Sequence, residues 1–320
     1  MPENLKVCEY IWIDGNAPTK QLRSKSRVIF LSDNPNIDSF PCWNFDGSST
    51  LQATGVDSDC ILKPINFTND PLCQQDGYLV LCEVLNADGS DHQSNTRSKL
   101  RKVLDAGGAE HLPWLGFEQE YTMFRNNTPL GWPEHGYPAP QGPYYCGVGS
   151  EQIFGRDLAI EHVNSCINAN LIFYGMNAEV MPGQWEFQIG YRGFSEEDAD
   201  ALTVADHTWI ARWLLHRISE KYGVHISLDS KPVKGDWNGA GMHTNFSTSN
   251  MRDPSVGKKT IDEAVKRLSK KHAEHIAVYG DKLEERLTGC HETASISEFS
   301  HGVANRGCSI RIPRAVALRQ

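Results

Sequence analysis

A proline-glycine pair, Pro182-Gly183, lies between two runs of apolar and acidic residues and constrains the fold more than any other feature. Proline fixes φ at the first central position of a turn, and glycine permits a positive φ at the second. Residues 177–189 are therefore predicted to form a β-hairpin in which Glu179 faces Glu186. Like charges opposite each other are destabilising, so either both carboxylates are solvated or a divalent cation lies between them.

The composition narrows the class of protein. The chain has 320 residues and a formal net charge of −9, which disfavours nucleic acid or an anionic membrane as the main partner. The nine cysteines are odd in number and include no C-x-x-C, so neither a disulfide framework nor a zinc site is indicated. The first residues lack an apolar signal core, and no apolar run approaches the length of a membrane span. We expect a soluble, cytoplasmic protein with no nucleic-acid and no membrane partner.

The N-terminal part is rich in strand signals. Residues 7–13, 26–31 and 78–85 read as strands, and no long amphipathic helix is indicated before residue 94. Between two of these strands, residues 46–49 (D-G-S-S) have the composition of a turn, for which an ordinary loop is the simpler interpretation. We therefore predict a small β-rich domain over residues 5–92.

A second domain is predicted over residues 97–320, beginning near a helix at 94–106. Further helices are predicted over residues 156–170, from a capping Ser195 to Tyr222, and from a Thr260-x-x-Glu263 capping box to Tyr279. A short strand signal lies at residues 224–228.

Acidic side chains recur on one face of another predicted strand, residues 114–124. Strand alternation places Glu118 and Glu120 on the same face, where a core would normally lie. His243 follows in the glycine-rich segment 236–248, where it is either a structural histidine or a ligand. A solvated acidic face is the simpler alternative, but together with the hairpin acids these residues indicate a divalent-metal site.

Arginines cluster near the C-terminal end of the sequence. Arg286, Arg306, Arg311 and Arg314 lie among loops in an otherwise acidic chain, and guanidinium groups match phosphate and carboxylate geometry. Surface arginines that aid solubility are the alternative interpretation. Because the sequence has no Walker-type P-loop, metal and arginine would hold nucleotide phosphates, which fits metal-assisted phosphoryl transfer.

Ordered sequence blocks give a specific resemblance. They are W-N-F-D-G-S-S-T (43–50), F-E-Q-E-Y (117–121), Y-P-A-P-Q-G-P-Y-Y-C-G-V-G (137–149), N-A-E-V-M-P-G-Q-W-E-F-Q-I-G (177–190), W-N-G-A-G-M-H-T-N-F-S-T (237–248), R-L-T-G-C-H-E-T (286–293) and G-V-A-N-R-G-C-S-I-R-I-P-R (302–314). Over nearly its whole length the chain resembles glutamine synthetases of the eukaryote type (type II).

This resemblance implies an α+β protein, with an N-terminal β-grasp domain followed by a catalytic domain whose curved antiparallel sheet is flanked by helices. It implies ATP-dependent ligation of ammonia to L-glutamate, giving L-glutamine, ADP and phosphate through γ-glutamyl phosphate. Mg²⁺ or Mn²⁺ would be the metal cofactor, with ATP as co-substrate. The chain would form a homo-oligomer of stacked pentameric rings with active sites between subunits.

The resemblance also implies roles for individual residues. The metal ligands would be Glu118, Glu120, Glu179, Glu186 and His243. Catalytic roles would fall to Asp46, Glu292, Arg306 and Arg286, with Asp46 acting across the subunit boundary and Glu292 on a flap that excludes water. Glutamate and ammonium would be bound by Asp59, Trp237, Asn238, Gly239, Arg286 and Arg306. ATP would be bound by Trp114, Glu118, Glu186, Asn245, Ser247, Arg306 and Arg311.

One departure from the family leaves an alternative open. In the family, R-I-P-R is followed by further chain containing G-Y-x-E-D-R-R-P, which supplies another metal-binding glutamate and a substrate-binding arginine, whereas this sequence stops at Gln320. Loss of those groups would weaken metal and glutamate binding. Two interpretations therefore stay open: an active ligase, or a truncated, non-catalytic paralog with a structural or regulatory role. A related ligase that uses another amine is a third, weaker possibility.

Overall fold

The computed structural model describes residues 4–319, and the chain divides into two compact units. The first unit comprises residues up to Glu110 together with Asp157–Tyr174 and Ile189–Lys221. The second unit comprises His111–Arg156, Gly175–Gln188 and the residues from Tyr222 onward. Each unit is thus assembled from three separate stretches of sequence. Within residues 4–319, no helix combines the length and apolar character needed to cross a membrane.

A five-stranded sheet forms the N-terminal part of the first unit and consists of β1 Leu5–Ile13, β2 Leu22–Phe30, β3 Trp43–Asp46, β4 Asp59–Asp70 and β5 Gly77–Asn86. The strands lie in the spatial order β2-β1-β5-β4-β3. β1 and β5 are parallel, and the other neighbouring pairs are antiparallel. Its core includes the fully buried side chains of Tyr10, Leu62 and Val80. The strands predicted at residues 7–13, 26–31 and 78–85 are confirmed as β1, β2 and β5, whereas β3 and β4 had not been predicted.

The D-G-S-S segment is more ordered than a simple loop. β3 continues to Asp46, and a short 3-10 helix follows over Gly47–Thr50. The Asp46 carboxylate accepts the backbone N–H of Ser48 and so caps this helix. The interpretation as an ordinary loop was therefore wrong, because the capping aspartate orders the backbone that follows it.

Three longer helices belong mainly to the first unit: α1 Thr96–Asp105, α2 Arg156–Asn168 and α3 Ala201–Tyr222. The predictions of α1 and α2 are confirmed to within two residues. The predicted start of α3 at Ser195 was wrong. Asp200 accepts the backbone N–H groups of Leu202 and Thr203 at 2.8 and 3.2 Å, whereas the Ser195 hydroxyl bonds to Glu196. Asp200 therefore starts the helix.

A six-stranded sheet consists of β6 Trp114–Arg125, β7 Thr128–Pro129, β8 Phe173–Ala178, β9 Gln184–Gly190, β10 His225–Ser227 and β11 Met242–Ser247. Four of these strands lie in the order β10-β6-β9-β8. β7 and β11 also pair with β6, and β6 is antiparallel to β7, β10 and β11.

The remaining elements of the second unit comprise one helix of 13 residues and several shorter elements. They are α4 Ser249–Arg252, α5 Gly257–Ser269, α6 His272–Tyr279, α7 Leu283–Arg286, the parallel pair β12 His301–Val303 and β13 Ile310–Ile312, and α8 Arg314–Arg319. The predicted continuous helix from Thr260 to Tyr279 was wrong. Thr260 lies inside α5, where its hydroxyl donates to the Val256 carbonyl instead of capping an N-terminus. The helical run also breaks between Ser269 and His272.

Candidate active site

The predicted hairpin turn is present at Pro182-Gly183. The Gln184 N–H donates to the Met181 carbonyl at 3.1 Å, and Gly183 has a φ of 74°, as a type II turn requires at its second central residue. A side chain at Gly183 would also collide with Leu130, because its Cβ would lie 2.7 Å from the Leu130 carbonyl oxygen. Glycine is therefore required here both for its conformation and for space.

The predicted register of the hairpin was wrong by two residues. The Glu179 N–H donates to the Gln184 carbonyl at 2.9 Å, so Glu179 lies across from Gln184 and not from Glu186. The Gly183 carbonyl instead accepts the Met123 N–H of β6 at 2.9 Å, which draws the turn onto the central strand. Because strand side chains alternate with a period of two, this shift leaves Glu179 and Glu186 on one face.

The five predicted metal ligands converge in two overlapping groups. One contains Glu118, Glu186 and His243, and the other contains Glu120, Glu179 and Glu186; within each group the candidate ligand atoms lie within 4.8 Å of one another. Glu186 belongs to both groups and could bridge two cations. The register of β6 and β11 pairs Glu118 directly with His243, which explains how two distant sequence segments meet.

Burial gives the carboxylates of this acid cluster unusual electrostatics. The pKa of Glu120 is raised to about 8 and that of Glu186 to about 7; loss of solvent is the largest cause in both, and the charge of neighbouring Glu179 contributes to each rise. The pKa of Glu179 is also raised, again chiefly by burial. Three buried acids in contact are therefore disfavoured in the ionised form unless positive charge is supplied among them.

The hydrogen-bond partners of these acids are neutral. Glu120 accepts the Gly241 N–H at 2.5 Å, Glu179 accepts the Asn177 amide at 2.8 Å, and Glu186 accepts the Gln188 amide at 2.5 Å. The buried Glu83 of the first unit differs from these acids, because two arginines form ion pairs with it. Burial raises the pKa of Glu83, but the arginines outweigh that effect and the pKa is lowered overall. An oxygen-rich cluster with neutral partners fits a hard divalent cation.

Three of the four predicted arginines exert their charge on this cluster. Burial is the largest cause that lowers the pKa of His243, and the charges of Arg286, Arg311 and Arg306 lower it further. Arg306 also lowers the pKa of both Glu179 and Glu186. The fourth, Arg314, is the first residue of α8. Cationic and acidic side chains therefore lie in one site. Such a site can bind a metal ion through its acids and an anion through its arginines and that metal.

Arg286 lies against the glycine-rich segment before β11. A Cβ at Gly239 would lie 2.6 Å from Arg286 Cγ, and one at Gly241 would lie 2.6 Å from its terminal nitrogen. Only glycine admits this close approach. The buried Nε of Arg286 has no hydrogen-bond partner among residues 4–319. A buried, unpaired donor in an acid-lined site is suited to an anionic ligand.

The neighbouring candidates for glutamate binding are fixed by side-chain contacts. The Asn238 amide donates to Gln184 Oε1 at 3.1 Å, and the Gln184 amide donates to the Gly239 carbonyl at 2.8 Å. Trp237 is buried and packs against Trp132, with ring centroids 4.7 Å apart. The segment that carries these three candidates is therefore joined to the start of β9, two residues before Glu186.

Three of the predicted nucleotide-binding residues, Trp114, Asn245 and Ser247, lie on the paired strands β6 and β11. Ser247 is registered with Trp114, and the Asn245 amide donates to Glu118 at 2.9 Å. The sequence reasoning missed Arg252, whose guanidinium lies 4.1 Å from the Trp114 ring centroid and donates to the Ser247 hydroxyl at 2.9 Å. Its position five residues after Ser247 was the only available signal.

The H-E-T loop is held by one ion pair and by one contact between a histidine and a carboxylate. Glu292 binds Arg306 at 2.8 Å, and His291 Nε2 lies 2.9 Å from Asp236. His291 and Glu292 both have left-handed backbone, with φ of 50° and 60°. Two consecutive non-glycine residues with left-handed backbone are uncommon and mark a constrained loop. The two predicted catalytic residues of this region, Glu292 and Arg306, are therefore in direct contact.

Asp46 and Asp59 belong to the first unit and form a pair of their own. They are direct partners at the end of the β3–β4 register. The Asp46 carboxylate accepts the Ser48 N–H at 3.0 Å, the Ser48 hydroxyl at 2.6 Å and the Ser49 hydroxyl at 2.5 Å. These bonds, that of the Ser48 side chain above all, lower the pKa of Asp46, so this exposed group is a stable anion.

Comparison with known proteins gives concordant matches. A family model described as "Glutamine synthetase, beta-Grasp domain" matches residues 4–87, and one described as "Glutamine synthetase, catalytic domain" matches residues 93–319. A glutamine synthetase of Streptomyces viridochromogenes is 52% identical over 305 residues, which cover 95% of this chain and 86% of the relative. One of Neurospora crassa is 50% identical over 317 residues, covering 98% and 84%. A chloroplastic glutamine synthetase of Chlamydomonas reinhardtii is 50% identical over 323 residues, covering 98% and 83%.

Proposed function

The chain belongs to the glutamine synthetase family, and from this premise we propose how its residues carry out the ATP-dependent ligation of ammonia to L-glutamate. The reaction gives L-glutamine, ADP and phosphate through γ-glutamyl phosphate. The two family models confirm the predicted order of a β-grasp domain followed by the catalytic domain. The convergence of four glutamates and one histidine in two groups that share Glu186 is the observation that carries the assignment of roles.

The proposal assigns two divalent cations to the acid cluster. Glu118, Glu186 and His243 would hold one cation, and Glu120, Glu179 and Glu186 the other. Mg²⁺ and Mn²⁺ suit sites rich in carboxylate oxygen. When bound, the cations supply the positive charge that phosphoryl transfer requires. The elevated pKa values of Glu120 and Glu186 support this assignment, because binding of a cation would return both groups to their ionised form.

The arginines are assigned to the anionic substrates. Arg286 would bind the carboxylate of glutamate with Trp237, Asn238 and Gly239 beside it, and its unpaired Nε supports that role. Arg306 and Arg311 would bind the phosphates of ATP, together with the strand residues Trp114, Asn245 and Ser247. In the first step a γ-carboxylate oxygen of glutamate attacks the terminal phosphorus, and ADP leaves. The guanidinium groups stabilise the charge that spreads over the transferred phosphoryl group.

The second step consumes ammonia. Asp46 and Asp59 would bind ammonium, and Asp46 would help to remove its proton. Ammonia nitrogen then attacks the acyl carbon of γ-glutamyl phosphate, phosphate leaves, and Glu292 takes a proton from the new amine. The pair formed by Glu292 and Arg306 supports this arrangement, since it holds the flap carboxylate beside a group assigned to the phosphoryl group.

The assembly and location are further parts of the proposal. Asp46 would act in the active site of a neighbouring subunit, within a homo-oligomer of stacked pentameric rings. All nine cysteines are free thiols, which supports a reducing, cytoplasmic location. A monomer in a sizing experiment would contradict shared active sites. The three relatives described above match nearly all of this chain and are called glutamine synthetases, which supports an active ligase over the non-catalytic alternative.

A direct assay tests the proposed function. The purified chain is incubated with glutamate, ammonium, ATP and magnesium, and glutamine and phosphate are measured together. We expect equal amounts of both from the wild type and neither from Glu186→Ala. Glu274→Ala is the matched control, because Glu274 is an exposed acid of α6 whose only ion pair within residues 4–319 is with Lys271. Turnover no greater than that of Glu186→Ala would refute the assignment and favour the non-catalytic alternative.

A further inference from the structure

Four buried polar side chains lie on the segment that follows Asp46 or form hydrogen bonds with it. None of the four has been assigned a role in the reaction. Thr50 and Gln52 come shortly after Asp46, while His92 and Ser94 follow β5. Their exposed fractions are 7%, 5%, 5% and 6%. Burial of a polar side chain is unfavourable unless its hydrogen-bonding groups are satisfied, so these contacts require an explanation.

The hydrogen bonds of three of these residues close into a ring with one direction. His92 Nε2 lies 2.6 Å from the Gln52 carbonyl oxygen, which can only accept, so Nε2 donates. His92 Nδ1 then accepts the Ser94 hydroxyl at 2.8 Å and the Ser94 N–H at 3.1 Å. The Gln52 side-chain amide completes the ring by donating to the Ser94 hydroxyl at 2.7 Å. Every donor in the ring meets an acceptor.

Gln52 connects this ring to the segment of Asp46. The Thr50 hydroxyl donates to Gln52 Oε1 at 2.8 Å, and the Gln52 backbone N–H donates to the Gly47 carbonyl at 2.8 Å. The Gly47 N–H in turn donates to the Ser58 carbonyl at 2.7 Å. Gly47 directly follows Asp46, and Ser58 directly precedes Asp59. The same backbone bond therefore joins the positions next to both acids.

A second contact anchors the ring to the sheet. The Gln52 side-chain amide also donates to the Ile13 carbonyl at the end of β1, at 3.1 Å. Gln52 is thus fixed through its side-chain amide, its side-chain carbonyl and both backbone groups. The 3-10 helix between Asp46 and Gln52 is consequently held at its C-terminal side by buried bonds, while the exposed Asp46 holds its N-terminal side.

We propose that Gln52 and His92 are positioning residues for Asp46, and that their buried ring fixes the orientation in which Asp46 receives ammonium. This inference rests on the role proposed above for Asp46. Displacement of a reacting group by about 1 Å can lower a rate by about 100-fold, so a rigid support for a short exposed loop has a large effect. Loss of the ring should weaken the binding of ammonium and leave the binding of glutamate and ATP unchanged.

The test compares the steady-state constants of the whole 320-residue chain for its three substrates. Gln52→Met keeps the length of the side chain but removes its hydrogen bonds. We expect its KM for ammonium to rise about ten-fold or more, with the KM values for glutamate and ATP within about two-fold of wild type. Formation of γ-glutamyl phosphate, measured as slow glutamate-dependent ATP hydrolysis without ammonium, should be unchanged.

Conservative variants separate positioning from general stability. His92→Gln keeps a donor for the Gln52 carbonyl and should retain most of the ammonium affinity, whereas His92→Phe should lose it. Thr208→Val is the control, because it removes another buried hydroxyl of the first unit whose bond is to its own helix. It should lower stability without changing any KM. If Gln52→Met does not fold, Ser94→Ala opens the same ring and carries the same expectation.

The outcomes distinguish this inference from the proposed function. An active wild type whose Gln52→Met and His92→Phe variants change all three KM values equally, or none of them, would refute the positioning role alone. A wild type that makes no glutamine would instead refute the proposed function and the inference with it.

Discussion

The binding of divalent cations should depend steeply on pH, because the acid cluster must lose protons to bind them. Glu120, with a pKa of about 8, is half ionised at pH 8, and Glu186, with a pKa of about 7, is mostly ionised there. At pH 6 the ionised fractions fall by about fifty-fold for Glu120 and about ten-fold for Glu186. Between pH 8 and pH 6, the affinity for the cation that Glu120 and Glu186 both bind should therefore fall by roughly the product of these two factors.

When metal is absent, a rise in pH should lower the stability of the folded protein, although it favours the binding of cations. A carboxyl whose folded-state pKa is raised binds more protons in the folded protein than in the unfolded chain between the two pKa values. Stability without metal therefore falls as pH rises from the ordinary value of 4.5 towards about 8 for Glu120, by up to roughly 5 kcal/mol. Saturation with Mg²⁺ or Mn²⁺ should restore that stability at the alkaline end.

Calorimetric titration with Mn²⁺ at pH 6, 7 and 8 measures the affinity, and buffers of different ionisation enthalpy report the protons released. Glu120→Gln should bind more weakly and show a flatter dependence on pH. Glu83→Gln is the matched control, since Glu83 is a buried acid of the first unit with a lowered pKa. An Mn²⁺ affinity that is constant between pH 6 and 8, with no proton release, would refute the reasoning.

Two further predictions concern packing around charged groups. Arg97→Ala leaves the buried carboxylates of Glu83 and Asp206 without their shared partner, so urea denaturation should show a loss of about 3–5 kcal/mol, and an unchanged midpoint would contradict this. Gly239→Ala places a Cβ against the side chain of the candidate glutamate-binding arginine and should raise the KM for glutamate about ten-fold or more. Gly55→Ala, where a Cβ meets no atom within 4 Å, should leave that KM unchanged, and equal effects of the two substitutions would argue against the collision.

The acid cluster could be predicted because its signals were local. Alternation within one strand placed Glu118 and Glu120 together, and a Pro-Gly turn placed two more glutamates near each other. The register of the hairpin could not be predicted, since it depends on a bond from Met123 of β6 to the turn. That error did not move either glutamate to the other face, because the displacement was an even number of residues.

Helix boundaries were less predictable for a physical reason. Ser195 and Asp200 are both good capping residues, and only the fold selects Asp200 as the start of α3. Likewise, a Thr-x-x-Glu spacing can occur inside a helix, as it does at Thr260 in α5. Propensity identified the helices, whereas tertiary context set their ends.

The ring of Gln52, Ser94 and His92 had no sequence signal. Its members lie forty residues apart in two segments that sequence reasoning treated as unrelated. Arg252 lies five residues after Ser247, but it was missed because only the pairing of β6 with β11 brings Ser247 to Trp114. Contacts of this kind arise from strand register, which a residue pattern does not specify.

The number of Mn²⁺ ions bound per chain tests the central claim most directly. Equilibrium dialysis of the wild type at pH 8 should give two ions per chain, because two ligand groups share Glu186. Glu186→Gln should reduce that number or weaken both sites together, while Glu274→Gln should leave both intact. Full binding of two ions by Glu186→Gln, or none by the wild type, would contradict a cation site built on this glutamate.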